Sequence, residues 1–238
     1  VFLNDFHKII DGRVVVSAEQ ASKFAKEVAG DFNPIHDPDA KRFCVPGDLL
    51  FALTLSKYGL SQNMAVSFSG MVGKDKPLIL PEKSDEAIEI CDDTGKVFTR
   101  VEHSGEVTQN PDLIEALIRK YVAFSGRNFP YILVPLLEKH QVMFNPKRPL
   151  VIYESMAFGI DTFDITSPEL VLVESTLEVN GKRGDAHFLF EIRDGETVVG
   201  RGDKKLIVSG LQPYDAEVMG EVVDNFNKLK DAYLAKLQ

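Results

Sequence analysis

Three features of the sequence point to an α+β chain of two units, each a helix laid on an antiparallel sheet, with one further helix at the C-terminal end. Apolar residues recur at helical spacing in two early runs and then switch to strand-like alternation. The helix-then-strands order begins again after Gln109, Asn110 and Pro111, a cluster that punctuates the chain. Units of residues 1–110 and 111–238 follow from that break. No sequence identity relates the halves, so the repeat is one of architecture alone. At 238 residues the chain suits one large domain or two small ones of about 120 residues each.

The first helix is expected over residues 17–28. Ser17 can cap it, Ala21, Phe24, Ala25 and Val28 form its apolar stripe, and Gly30 stops it. A turn-rich stretch follows, with Asp31, Asn33, Pro34, His36, Asp37 and Pro38. Residues 48–60 are dense in Leu, Phe and Ala and read as a helix buried on most sides, with Asp48 at its start favouring the helix dipole. Residues 64–72, 87–91 and 97–107 read as strands, the last two joined by a turn at 93–96. A second helical pattern then sets Leu113, Ile114, Leu117, Ile118, Tyr121 and Val122 on one face. Residues 151–208 are almost all strand: Val171, Val173, Ser175, Leu177 and Val179 alternate with Leu172, Glu174, Thr176 and Glu178. In the tail, Val218, Val222, Phe226, Leu229, Tyr233 and Leu237 step by three or four. That makes a narrow apolar seam on a helix of about six or seven turns, suited to docking on the chain's own sheet or to a subunit contact.

Composition excludes several classes. Thirty-six acidic against 27 basic side chains leave a formal charge of −9. Such a field repels phosphate backbones and anionic lipid, so neither nucleic acid nor a membrane surface is an expected partner. No apolar run reaches the roughly 20 residues of a membrane helix. Residues 1–10 carry Asp5, His7 and Lys8 among their apolar residues and lack the core of a signal peptide. Cys44 and Cys91 are far apart, which excludes a disulfide scaffold and a zinc ribbon. The expectation is a reduced, cytoplasmic protein.

The stretch Gly30-Asp31-Phe32-Asn33-Pro34-Ile35-His36 carries the chemistry. Asn33 is a good N-cap and Pro34 is preorganised for the first helical position. His36 then falls in the first turn, where the positive end of even a short helix disfavours imidazolium. A neutral imidazole can accept a proton at pH 7, its unperturbed pKa being about 6.5. Asp31 lies just before the cap, close enough for the turn to bring its carboxylate beside the imidazole. A carboxylate and an imidazole converging on one water can add or remove that water. The plainer alternative is that Asp31, Asn33 and Asp37 cap turns and His36 is a buried hydrogen-bonder.

This stretch resembles the hydratase-2 motif of the MaoC-like hot-dog proteins, which it matches at Phe24, Gly30, Asp31, Asn33, Pro34, Ile35, His36, Asp37 and Pro38. The match covers about 50 residues. The resemblance implies a hot-dog fold, a long helix wrapped by an antiparallel sheet. Two such units imply a double hot-dog, a pseudo-dimer within one chain whose halves satisfy each other's sheet edges, with a further homodimer allowed. It also implies hydration of trans-2-enoyl thioesters of coenzyme A or acyl carrier protein to (R)-3-hydroxyacyl products, or the reverse dehydration, with no metal and no cofactor. Asp31 and His36 would activate the water. Substrate-binding roles fall to Asn33, Gly47 and Ser56. The Gly47 backbone N–H would polarise the thioester carbonyl, a donor commonly worth about 3 kcal/mol of barrier, and Thr54 and Ser56 straddle the family's supporting hydroxyl.

The departures from the family pattern are specific. Ala29 replaces a small hydroxyl or thiol residue, and one extra residue separates Phe24 from Asp31. The segment from Asp37 to Gly47 is shorter than the family's. Pro46 cannot donate a hydrogen bond. Asp48 places a negative charge beside the developing enolate oxygen, which opposes catalysis unless a cation or helix dipole offsets it. Two other readings therefore stand beside the hydratase: a non-catalytic acyl-thioester-binding or assembly module, and a thioesterase.

Weaker signals complete the chain. The basic pairs Lys41-Arg42, Lys147-Arg148 and Lys204-Lys205 read as solvated surface, or as partners for coenzyme A phosphates. The spacing of Asp31, Asn33, Asp37 and Asp39 lacks the glycine of a calcium loop. His7, His103, His140 and His187 have no ligand spacing to one another. Cys44 has no adjacent histidine to activate it.

Overall fold

Reciprocal capping opens the first helix. The Ser17 hydroxyl accepts from the Gln20 amide at 3.2 Å, while the Gln20 side chain accepts from the Ser17 amide at 3.1 Å. The structure is a computed structural model and describes residues 2–82 and 87–237. A 3-10 turn, Phe2–Phe6, and a hairpin of β1 (Lys8–Ile10) and β2 (Arg13–Val15) precede α1 (Ala18–Lys23). The expected single helix over 17–28 is instead two pieces. α1 passes directly into a π-helical segment, Phe24–Ala29, which ends where Gly30 turns left-handed at φ 68°. A π turn holds one residue more than an α turn, and this one lies in the interval between Phe24 and Asp31 where the motif resemblance implies one extra residue.

The buried helix α2 (Gly47–Tyr58) has Pro46 as its N-cap and stops at Gly59, whose φ is 88°. Strands β3 (Leu60–Phe68), β4 (Ala87–Cys91) and β5 (Val97–Thr108) follow. Asn110 caps α3 (Pro111–Gly126) by accepting from the Asp112 and Leu113 amides, with Pro111 in the first turn. After α4 (Leu133–Lys139) and the two-residue β6 (Val142–Met143) come four long strands. These are β7 (Leu150–Ile160), β8 (Pro168–Asn180), β9 (Arg183–Asp194) and β10 (Thr197–Ser209). The short β11 (Gln212–Pro213) pairs with β6, and Asp215 caps the final helix, α5 (Ala216–Leu234).

Seven strands form one antiparallel sheet in the order β4-β5-β3-β7-β10-β9-β8. The three that precede residue 110 join the four that follow it through β3 and β7, where Met64 pairs with Phe158 and Val66 with Met156. Those four side chains are buried, α2 meets this seam where Phe51 contacts Phe158, and α3 packs beside α2. The Phe51 ring lies 4.9 Å from Tyr121 and 6.3 Å from Phe158, and Phe124 lies 5.3 Å from Phe190. Adjacent helices α2 and α3 packed on one antiparallel sheet, with a C-terminal helix, give the α+β architecture expected from the sequence.

The tail helix docks on its own chain through few residues. Met219 and Phe226 are buried, while Leu229 and Leu234 stay exposed. Phe226 packs against Phe129 and Phe32, with centroids at 5.3 and 5.9 Å. Further along, the Tyr233 hydroxyl donates to Glu27 at 3.0 Å and its ring meets Phe32 at 5.8 Å. Among the described residues no helix is long and apolar enough to cross a membrane.

Candidate functional site

The π-helical segment delivers Asp31. Gly30 reverses the chain, and the Asp31 amide donates back to the Ala25 carbonyl at 2.8 Å. The Asp31 carboxylate accepts the Asn33 amide at 2.8 Å, an Asx turn that fixes the direction of the side chain. Asn33 in turn accepts the Ile35 amide at 3.2 Å and caps the 3-10 turn Pro34–His36. His36 is thereby pointed inward, and its Nδ1 lies 2.6 Å from the Cys44 carbonyl. A carbonyl only accepts, so Nδ1 carries the proton of that bond and Nε2 faces Asp31. Asp31 Oδ2 and His36 Nε2 stand 3.6 Å apart.

Burial works against charge on both groups, yet their pairing outweighs it. The His36 ring and the Asn33 amide hold the Asp31 carboxyl below the usual carboxylate value. Asp31 and the Cys44 carbonyl raise the His36 imidazole above its ordinary value despite desolvation. The direction is opposite to the expectation that the helix end disfavours imidazolium. The 3-10 turn is three residues long and supplies little dipole, whereas the facing carboxylate favours the cation directly.

Asp31 and His36 lie on the wall of a cavity of about 680 Å³, together with Asn33 and Gly47. Phe129, Phe144, Leu206, Val222 and Phe226 give it apolar lining, and the exposed side chains of Met71, Ile152 and Leu229 also line it. The N-terminus of α2 also faces it. The Leu49 and Leu50 amides bond to the Pro46 carbonyl. Among the described residues the Gly47 and Asp48 amides find no protein partner. Two such N–H groups at a helix N-terminus suit an oxyanion.

Ser56 is elsewhere. It and Lys57 occupy the exposed face of α2, and Ser56 does not line the cavity. Thr54 is buried but donates to the Leu50 carbonyl of its own helix at 2.8 Å. Cys44 does line the cavity, with its thiol pushed up to about 11 by burial, which leaves it protonated and a poor nucleophile. Among the described residues no group of three or more His, Cys, Asp or Glu is placed to hold a metal ion.

A second polar group on the same wall was not foreseen. The Ser125 hydroxyl donates to Asp48 Oδ2 at 2.5 Å and accepts from the Lys204 ammonium. Lys204 Nζ sits 3.8 Å from the centroid of the Tyr153 ring, and the Tyr153 and Tyr121 hydroxyls are hydrogen-bonded. Lys204, read from the sequence as a surface lysine, is 1% exposed. Desolvation brings its pKa down to about 8, although Asp48 and Asp31 both favour its charge. Burial raises the Asp48 carboxyl, against the pull of Lys204 and Ser125. The signal for Lys204 was strand parity: it shares a face with Leu206 and Val208, both buried. Ser125 follows Tyr121 by four residues on the buried stripe of α3.

A protein-family model described as "Protein of unknown function (DUF3581)" matches residues 1–217. No curated protein matches the sequence. Among solved structures, a conserved protein of unknown function with hot dog fold from Alicyclobacillus acidocaldarius is similar at 13% identity and a TM-score of 0.47, over 90% of this chain and 99% of that one. The acyl-CoA thioesterase II TesB2 of Mycobacterium marinum is similar at 9% identity and 0.43, over 71% and 91%. The peroxisomal multifunctional enzyme type 2 of Drosophila melanogaster is similar at 10% identity and 0.44, over 82% and 47%. These likenesses assign no residue and no reaction.

Proposed function

Because the chain belongs to the DUF3581 family, whose description names no activity, we propose its function from the site: reversible hydration of an enoyl thioester of coenzyme A or acyl carrier protein, in the manner of a MaoC-like hydratase. The reading treats residues 1–110 and 111–238 as two units sharing one sheet. The observation that carries it is Asp31 Oδ2 at 3.6 Å from His36 Nε2 on the wall of a cavity whose lining is largely apolar.

In this reading the thioester carbonyl lies against the free amides of Gly47 and Asp48, and the acyl chain runs toward Phe129 and Phe226. The Asp31 carboxylate takes a proton from water as its oxygen bonds to the β-carbon. The imidazolium of His36 gives its proton to the α-carbon, and electron density leaves the carbonyl oxygen as the carbon–carbon double bond is consumed. Asp31 then returns its proton to His36 across the short gap, and the site is ready again. Dehydration is the same path reversed.

The experiment is to mix purified protein with crotonyl-CoA and with a longer trans-2-enoyl thioester, following enoyl absorbance and free thiol together. Loss of enoyl absorbance without thiol is the expected result. A second reading, hydrolysis of the thioester, draws on Ser125 lying beside the same helix N-terminus, and thiol release would establish it. Tight binding with neither signal would make the protein an acyl-thioester-binding module.

A further inference from the structure

Asp48 poses an electrostatic problem. Its carboxylate begins the very helix whose free amides face the cavity, so it opposes negative charge on an oxygen held there. At short range and low dielectric such repulsion is strong. Among the described residues, Lys204 is the one lysine or arginine that is buried, and it reaches Asp48 through a single atom, the Ser125 Oγ.

We propose that Lys204, acting through Ser125, is the counter-charge that allows an oxyanion to form beside Asp48, which makes it a positioning residue of this site. The inference rests on the reaction proposed above. Ser125 is well suited to the bridge because one hydroxyl both accepts from an ammonium and donates to a carboxylate. The bridge also abuts the motif loop: a Cβ on Gly126 would lie 3.3 Å from the Asp31 nitrogen. The charged and titratable groups around Lys204 are Asp31 from the loop, Asp48 from α2 and Tyr153 from β7, with Tyr121 of α3 hydrogen-bonded to Tyr153 and His36 on the same cavity wall beside Asp31. Cys44 and the exposed Glu221 lie further along the same cavity wall. The ionised forms of Asp31, His36, Asp48 and Lys204 sum to zero. Removing Lys204 leaves an excess negative charge where the transition state adds another.

The test is a charge-balance cycle with two readouts, enoyl hydration and the titration of the His36 imidazole by NMR. Lys204→Met should lower kcat about 100-fold with a much smaller change in KM, and the double variant Lys204→Met/Asp48→Asn should recover to within about tenfold of the starting protein. The His36 titration should move to higher pH in the single variant, because Asp48 then acts unopposed, and return in the double. Full turnover in Lys204→Met, a double variant no better than the single, or an unmoved His36 titration overturns the proposal. If Lys204→Met does not fold, Ser125→Ala keeps both charges, cuts the bridge and should shift both readouts the same way by less. A starting protein without hydratase turnover overturns the reaction, and the His36 titration alone then decides the counter-charge.

Discussion

Gly126 presses its bare Cα against the carbonyl of Ala29, so closely that a Cβ there would come within 1.9 Å of the Ala29 oxygen. The contact joins the end of α3 to the turn that holds Asp31. Since that neighbour is backbone, it cannot swing away. Gly126→Ala should cost about 1–3 kcal/mol in denaturant unfolding, and it should reduce hydration more than stability alone explains. Gly220→Ala on α5, which meets nothing within 4 Å, should instead stabilise by roughly 0.5–1 kcal/mol. Equal effects at both sites would remove the steric argument.

Asp31→Asn keeps the shape of the Asx turn and removes the base. Hydration of crotonyl-CoA should fall by about 10²–10⁴ while the melting temperature stays within a few degrees of its starting value. Turnover that survives this change rules Asp31 out as the proton acceptor.

The pH dependence has a definite sign on each side. His36 titrates above its ordinary 6.5, so its contribution to stability is fully present below 6.5 and is lost as pH rises through the folded value. Asp31 titrates below 3.8, so its contribution is present above 3.8 and is lost as pH falls through the folded value. Melting curves across pH should therefore show a plateau between the two, with His36→Gln flattening its alkaline edge and Asp31→Asn its acid edge. A kcat/KM profile should fall on the same two sides, and an alkaline limb at or below 6.5 would contradict the ion-pair assignment.

The π-helical segment sets the direction of Asp31. Deleting exposed Glu27 should convert Phe24–Ala29 into an ordinary helical turn and rotate the following residue by about 100°. Circular dichroism should change little, whereas hydration should fall to the level of Asp31→Asn. A deletion variant that retains activity would show that the extra residue has no bearing on the site.

Phe226 lines the cavity and packs against Phe129 and Phe32. Phe226→Ala should cost about 3–5 kcal/mol and move the preferred substrate toward longer acyl chains, read as a ratio of kcat/KM between a short and a long enoyl thioester. A lower melting temperature with an unchanged ratio would place the acyl chain elsewhere.

Much of this was open to reading from the sequence because it depends on local chemistry. Ser17, Asn33, Asn110 and Asp215 cap where short polar residues precede helical runs, and β9 follows its alternation. β8 instead has a bulge at Val173 that leaves this side chain exposed and turns Leu172 toward the core, against the expected single face of Val171, Val173, Ser175, Leu177 and Val179. Asp31 and His36 could be paired because six consecutive residues fix the turn between them. Lys204 and Ser125 could not be paired that way. They are 79 residues apart and meet only when β10 and α3 pack together. The direction of the His36 shift departs from the sequence expectation for a related reason, since a partner across the turn outweighs the dipole of the turn itself. Ser56 was carried over by similarity at a position where helix phase puts it outside.

The hydrogen bond from Tyr233 to Glu27 spans 206 residues. On a ribosome, the loop bearing Asp31 is made about 200 residues before α5 and must wait, partly uncovered, while the intervening strands are synthesised. Only then does α5 emerge to lay Phe226 and Tyr233 over it. The cavity wall beside Asp31 and His36 is thus completed only once α5 has been made, and a nascent chain that has not reached it would hold the pair without that wall.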